Sequence, residues 1–518
     1  MKKILLLPIL IFSLQNIFSQ DYFRTGSYLF LNEKDVYYKD INTLIKPLLG
    51  AENELTDSLI FKYPKGTKKN LFLRKLLEEH LFQFQKEKFT TFIDPIVDFR
   101  INYDKHRNKI SYLNTRGFNI IGNLMSKVFF NTSFYENQGK FASYIDDFYN
   151  VYRTLPGYGR IKITNDSVFD FAMVYGSISF RPIKQLNFTI GYDRLFVGDG
   201  YRSMILYDFT APYPFFKINT TLGKFDFTTI VAKTIYPYEY YHSTTLQNSK
   251  YPSKLLSYNF LTYSFLKDKL KFSIFDAMSI NNNSKNYGFF AVNYFTPIIR
   301  DIAFNHYLDF LYQQYGLNIT YNNSKIGVFY GQFVLNSSIT SLNSEYTQKL
   351  SNSIQIGYKS FDFFNIKNLF FQTEFNRAES FTNEDYFFSN QTQSLIHPVN
   401  TNFYELLAII SYSYKRFEII SKINYLIIPE RPITERPIFI PDVSDISDAN
   451  YFYYGNVYGT AGSKIMNFDM QIIYNVNKAY NLQCFAGINL RKDKFKDIFN
   501  TFVNFGVRTA IRFNKYDF

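Results

Sequence analysis

Between Gly191 and Pro214 the sequence reads GYDRLFVGDGYRSMILYDFTAPYP, which puts Asp193, Arg194, Asp199, Arg202 and Asp208 within one loop's length. Carboxylates and guanidiniums at that density do one of two things. They hold a polar ligand through charge-assisted hydrogen bonds, or they pair with protein groups and brace the loop. Gly198 and Gly200 offer the positive φ that a tight Gly-Asp-Gly turn needs. Pro212 and Pro214 then exclude helix and return the chain in extended form. The five charged residues are the candidate ligand-binding set. Gly198, Gly200, Ser203, Leu206, Pro212 and Pro214 are its structural frame.

Other chemistry is weaker. The histidines are His80, His106, His242, His306 and His397. His242 precedes Ser243 and His306 lies near Asp309, but a triad is a matter of geometry and sequence neighbours count for little. The chain reads as a non-enzyme, with no catalytic residue and no cofactor. His80 follows Glu78 and Glu79 on a helical pattern, where packing outweighs metal ligation. Asp442, Asp445 and Asp448 are three apart, whereas a calcium loop needs ligands two apart and a later Glu. They read as a solvated acidic loop, so no metal site is expected. Tyr236, Tyr238, Tyr240 and Tyr241 crowd one loop, and Tyr451, Tyr453, Tyr454 and Tyr458 another. These rings either stack on sugars or form an interfacial girdle.

The elements that position these residues begin with an export signal. Met1-Lys2-Lys3 is basic, Ile4 to Phe18 is largely apolar, and Ser19 precedes Gln20-Asp21, the pattern of a cleaved signal peptide over residues 1–19. No cysteine follows the apolar run, as a lipoprotein would require. The single cysteine, Cys484, allows no intrachain disulfide. Aromatic residues make up 20% of the chain, with 45 Tyr, 59 Phe and no Trp. That suits an exported barrel whose girdles are Tyr and Phe, although A/T-rich coding enriches the same residues. The net charge of +13 fits attraction to acidic polysaccharide or lipopolysaccharide, or a coding bias toward Lys. Nucleic acid is not an expected partner.

Residues 20–94 carry helical spacing at Tyr37–Leu49 and Asn70–Gln85, broken at Pro64-Lys65-Gly66, which predicts a small periplasmic helical hairpin. From Pro95 to Phe518 the hydrophobic period becomes two, in about eighteen runs near the ~10-residue length of a tilted membrane strand. Connections alternate short (Met125-Ser126, Pro182–Lys184, Leu222-Gly223) with long (Glu136–Ser167, Arg194–Pro212, Asn336–Leu350). The predicted fold is therefore all-β: a transmembrane antiparallel up-and-down barrel of about eighteen strands over residues 95–518, with tight periplasmic turns and long outer loops. Val503 to Phe513 alternates as a final strand of the kind the barrel-assembly machinery reads.

The order Gly198, Gly200, Ser203, Leu206, Pro212, Pro214 resembles the motif of capsule-assembly (Wzi-type) outer-membrane proteins. Asn114 to Phe118, Phe134 to Gln138 and Leu155 to Gly159 look like the versions found in gliding, Flavobacterium-like bacteria. The resemblance implies a lectin-like barrel in the outer membrane that holds capsular polysaccharide without cleaving it, with relatives linked to gliding motility. Its partners would be outer-membrane lipid and lipopolysaccharide, surface polysaccharide, and the barrel-assembly machinery. The other reading is a porin or a hydrophobic-substrate transporter. The two differ in the lumen: a porin of about 16–18 strands leaves an aqueous bore, and the capsule type would fill it with loops.

Overall fold

The structure, a computed structural model, describes residues 34, 37, 44–48, 60–61, 66–105, 108–152, 154–163, 168–235, 253–266, 268–281, 310–342, 345–379, 388–391, 393–399, 402–429, 462–494, 497–509 and 517. Eighteen antiparallel strands close into one barrel. They are β1 (Phe89–Asp104), β2 (Lys109–Leu124), β3 (Val128–Lys140), β4 (Phe169–Ile183), β5 (Leu186–Asp193) and β6 (Tyr213–Leu222). Then come β7 (Phe225–Ile235), β8 (Ser253–Phe265), β9 (Leu270–Asn281), β10 (Phe310–Asn323), β11 (Gly327–Leu342) and β12 (Glu345–Ser360). The circuit ends with β13 (Leu369–Ala378), β14 (Phe403–Tyr414), β15 (Phe417–Ile427), β16 (Lys464–Asn477), β17 (Leu482–Asp493) and β18 (Ile498–Arg508). Strand β18 pairs with β1, from Phe502↔Asp104 to Arg508↔Asp98.

Alternation explains the wall. Along β14, Glu405, Leu407, Ile409 and Ser411 are buried inward, while Leu406, Ile410, Tyr412 and Tyr414 are exposed outward. Phe118, Ile178, Ile190, Ile356, Ile472 and Phe505 continue the exposed apolar belt on other strands. A closed sheet with an apolar outer face has no free edge and meets lipid without unpaired backbone, so the protein is a barrel of the outer-membrane kind.

Several expectations need correction. Asn336–Leu350, expected as a long loop, is strand on both sides, with pairing from Ser337↔Leu350 to Leu342↔Glu345. The predicted helix over Asn70–Gln85 stops early: α1 spans Leu71–Leu77, capped by Asn70, and Phe82–Lys86 is a strand paired with Phe89–Ile93. The Phe-Gln-Phe-Gln alternation there has period two, and β1 offers it an edge. Tyr37–Leu49 is not one helix either, because Ile45–Lys46 is a short strand paired with Phe196–Val197. The first barrel strand thus starts at Phe89, ahead of Pro95. The final strand ends at Arg508, and Asp517 lies buried at Arg202.

Candidate functional site

The connection between β5 and β6, residues 194–212, is buried throughout and folds into the lumen. Its apolar side chains Phe196, Val197, Met204, Ile205 and Leu206 pack with inward wall residues Ile230, Leu256, Tyr258 and Phe275. Burial of this kind stabilises by about 25 cal/mol per Å² of apolar surface, so the loop is held by a hydrophobic floor before any charge is counted. Leu44 and Ile45 join that floor. Gly198 adopts φ +105, as the turn demands, and its amide donates to the Leu44 carbonyl at 2.7 Å. Gly200 does not need a positive φ. It is needed for close approach, because a Cβ there would lie 2.6 Å from the Arg202 carbonyl and 2.7 Å from a Glu374 oxygen.

Two carboxylates of the wall grip the next turn of the loop. Glu374, on β13, accepts from the amides of Tyr201 at 2.8 Å and Arg202 at 3.0 Å. Arg202 is fully buried, and its Nη2 donates to Glu405 of β14 at 2.8 Å while its Nη1 donates to Asp517 at 3.0 Å and to the Tyr207 hydroxyl at 2.9 Å. Burial alone would depress the guanidinium; the Asp517 and Glu405 carboxylates override it and hold Arg202 well above its ordinary range. The converse holds for Asp517. Burial would raise it, but Arg202 and Lys422 beside it hold the carboxyl below the usual carboxylate range. Lys422 Nζ is 2.8 Å from Asp517. His397 completes the group: the Val399 amide donates to Nδ1 at 3.1 Å, which leaves the proton on Nε2 to donate to Glu405 at 3.0 Å.

Asp199 is a second anchor. It accepts from the Tyr37 hydroxyl at 2.6 Å and from Thr320, and Lys46 Nζ is 3.5 Å away. Lys359 of β12 donates to the Asp199 carbonyl at 2.8 Å and to Tyr37 at 2.7 Å. Asp193 accepts from the Arg194 amide at 2.7 Å, and Arg194 donates to the Gly157 carbonyl at 3.3 Å. Asp208 is buried close to Tyr207. Ser203 donates to the Val197 carbonyl at 2.6 Å and caps the amides of Ile205 and Leu206; Leu206 and Pro212 are buried, and Pro214 pairs with Tyr192 in the wall. All five candidate charges therefore face the barrel interior rather than the cell surface.

The opposite wall differs. Register sets Lys422 against Asp469, Asp469 against Asn489, and Asn504 against Asn102. These inward residues, with Arg100 and Gln471, are only half-buried, whereas Glu374, Gln332 and Gln355 under the loop are buried. Arg100 is 24% exposed although it pairs with Asp98. Half-buried polar side chains line β1 and β15–β18, and Lys422 among them also donates to the Tyr201 hydroxyl of the loop at 3.0 Å.

Glu374, Glu405, Gln332, Lys359 and Asp517 were not evident from the sequence. Their signal was available in part, since an isolated Glu or Lys at an inward strand position of an apolar run demands a partner inside. Of the histidines, His80 contacts Asp94 at 2.6 Å and stacks on Phe92, and neither it nor His397 faces a hydroxyl nucleophile. Among the described residues no group of acidic, His or Cys side chains is arranged to hold a metal. His106, His242, His306, the aspartates 442, 445 and 448, and both tyrosine clusters lie outside the described residues.

No protein-family model matches the chain, and no curated protein matches it. Solved barrels do. OpdK of Pseudomonas aeruginosa with vanillate is 8% identical, with a TM-score of 0.45, over 82% of this chain and 99% of that one. OccK2 (OpdF) in complex with glucuronate is 6% identical, with a TM-score of 0.43, over 81% and 98%. OprD is 10% identical, with a TM-score of 0.42, over 80% and 94%. The expected resemblance to capsule-assembly proteins is corrected: the solved barrels matched are OprD and Occ proteins. The expected surface lectin for capsular polysaccharide falls with it, since the five charges meant to hold the polymer are all buried.

Proposed function

We propose that this protein is a non-enzymatic outer-membrane channel for small polar solutes, exported through a cleaved signal over residues 1–19. The inward-folded loop narrows the bore and leaves passage along β1 and β15–β18. One observation carries this reading: inward side chains on that wall, among them Lys422, Asp469, Gln471, Asn489, Asn504 and Asn102, stay partly accessible while the facing wall is packed shut. A bore lined by amides and opposed charges solvates polar solutes and repels apolar ones, which favours a porin over a hydrophobic-substrate transporter. Purified barrel in planar bilayers tests it. Steady conductance is expected, and Asn489→Trp together with Asn504→Trp should lower it several-fold with barrel assembly unchanged. A folded barrel with no conductance overturns the reading.

A further inference from the structure

Residues 66–89 leave an apolar surface that folding does not use. Helix α1 is firmly seated. Glu78 accepts from the amides of Thr67 at 2.6 Å and Lys68 at 3.1 Å, Glu79 pairs with Lys75 at 2.9 Å, and Asn477 donates to the carbonyls of Lys75 and Glu79, both at 2.9 Å. Yet its first turn stands in solvent, with Leu71 60% and Phe72 71% exposed and Leu73 exposed beside them. Holding apolar side chains rigidly away from any protein contact costs stability unless another apolar phase covers them.

We propose that the first turn of α1 inserts into the acyl layer of the periplasmic leaflet, with anionic phospholipid headgroups meeting the lysines around it. Two observations select lipid as the occupant. The first is continuity with the lipid-facing wall. The register Phe82↔Ile93 and Phe84↔Thr91 puts both phenylalanines on the outward face of β1, where they are 53% and 52% exposed. Only four residues separate the end of α1 from Phe82, a reach of at most ~14 Å, so the helix, seated on Asn477 at the rim of the barrel, stays within that distance of the belt. The second is charge. Lys68 and Lys69 are exposed just ahead of the apolar turn, and Lys86 and Lys88 are exposed at the end of the strand that carries Phe82 and Phe84. Apolar side chains rimmed by long cations are the composition of an interfacial anchor, because the stems follow the acyl boundary while the heads stay at phosphate. A covering protein partner would not need the lipid-facing strand to continue the patch.

The chain contains no tryptophan, so one substitution makes a clean reporter. Phe72→Trp, and Leu71→Trp as a second position, would be reconstituted in vesicles of phosphatidylglycerol and phosphatidylethanolamine carrying brominated acyl chains, with Phe84→Trp as the lipid-facing control. Heat-modifiable gel mobility checks that each barrel is closed. The expected result is blue-shifted emission, quenching by the brominated chains at least half that of the Phe84→Trp control, and protection from iodide. Emission at the wavelength of free tryptophan, quenched by iodide and not by bromine, overturns the proposal. It would mean that the turn stands in the periplasm or awaits another protein. Neither result depends on whether the barrel conducts.

Discussion

Arg202 and Asp517 are 315 residues apart in sequence and 3.0 Å apart in the barrel, joined across a lumen that neither belongs to by secondary structure. With Glu405 on its other side, the guanidinium is a cation between two carboxylates. Removing it leaves buried Glu405 with the neutral His397 and amides but no cation, and Asp517 with Lys422 alone, at a cost of about 3–5 kcal/mol. Arg202→Ala should therefore release residues 194–212 from the wall while the strands stay paired. The check is threefold: conductance rises, amide exchange at Tyr201 and Arg202 speeds up, and heat-modifiable mobility stays as in the parent.

The two glycines should fail differently. At Gly198 a side chain must adopt φ +105 and meet Gln332, so Gly198→Val should cost roughly 1–3 kcal/mol through backbone strain. Gly200→Ala meets no such strain, but its methyl strikes the Glu374 carboxylate and parts it from the Tyr201 and Arg202 amides. Exchange protection at those two amides, measured in both variants, should fall more in Gly200→Ala than elsewhere in the loop.

Acid should loosen the same region through His397. Burial outweighs the pull of Glu405 and holds the imidazole below its ordinary range, so the packed loop favours the neutral ring. A depressed value contributes stability above the free-histidine pKa of about 6.5, and that contribution is lost as pH falls toward the packed-state value. Asp517, itself held low by Arg202 and Lys422, keeps its charge across that window. Protection factors for residues 388–399 should drop between about pH 7 and pH 5, and His397→Gln should flatten the profile. An unchanged profile in the variant would assign the effect elsewhere.

Removing the Tyr37 hydroxyl tests the second anchor. It donates to Asp199 and accepts from Lys359, all three buried. Tyr37→Phe leaves those charged partners one hydrogen bond short, a cost of about 1–3 kcal/mol. Faster exchange at Gly198 with the barrel intact is the expected result. Equal rates would show that the Ile45–Lys46 pairing holds the turn unaided.

The wall was legible in the sequence because a strand states its own two faces. Leu406, Ile410 and Tyr412 alternate with Glu405, Leu407 and Ser411, and nothing distant is needed to see it. The loop's fate was not legible. Arg202 shows itself as a charge in a glycine-rich loop, but its partners Glu405 and Asp517 become neighbours only once the barrel closes. Phe82 to Lys86 was open to reading, since Phe-Gln-Phe-Gln has the period of a strand. The leucines of α1 immediately before it drew the eye to a helical period that ends at Leu77.

Strand β1 has two edges, and β2 takes one of them from Phe89 to Asp104. The other edge is shared. Strand β18 covers Asp98 to Asp104, Thr509 bonds Val97, and Phe82–Lys86 covers Phe89 to Ile93. The ring is therefore sealed at a seam stitched from both ends of the chain, one piece above the other. Insertion can finish only when the opening and closing segments have both reached that seam. A chain lacking residues 66–88 would keep its eighteen strands and still present a row of bare amides to lipid, each costing several kcal/mol. Such a chain should close less completely, read as lost heat-modifiable gel mobility, although every long strand is present.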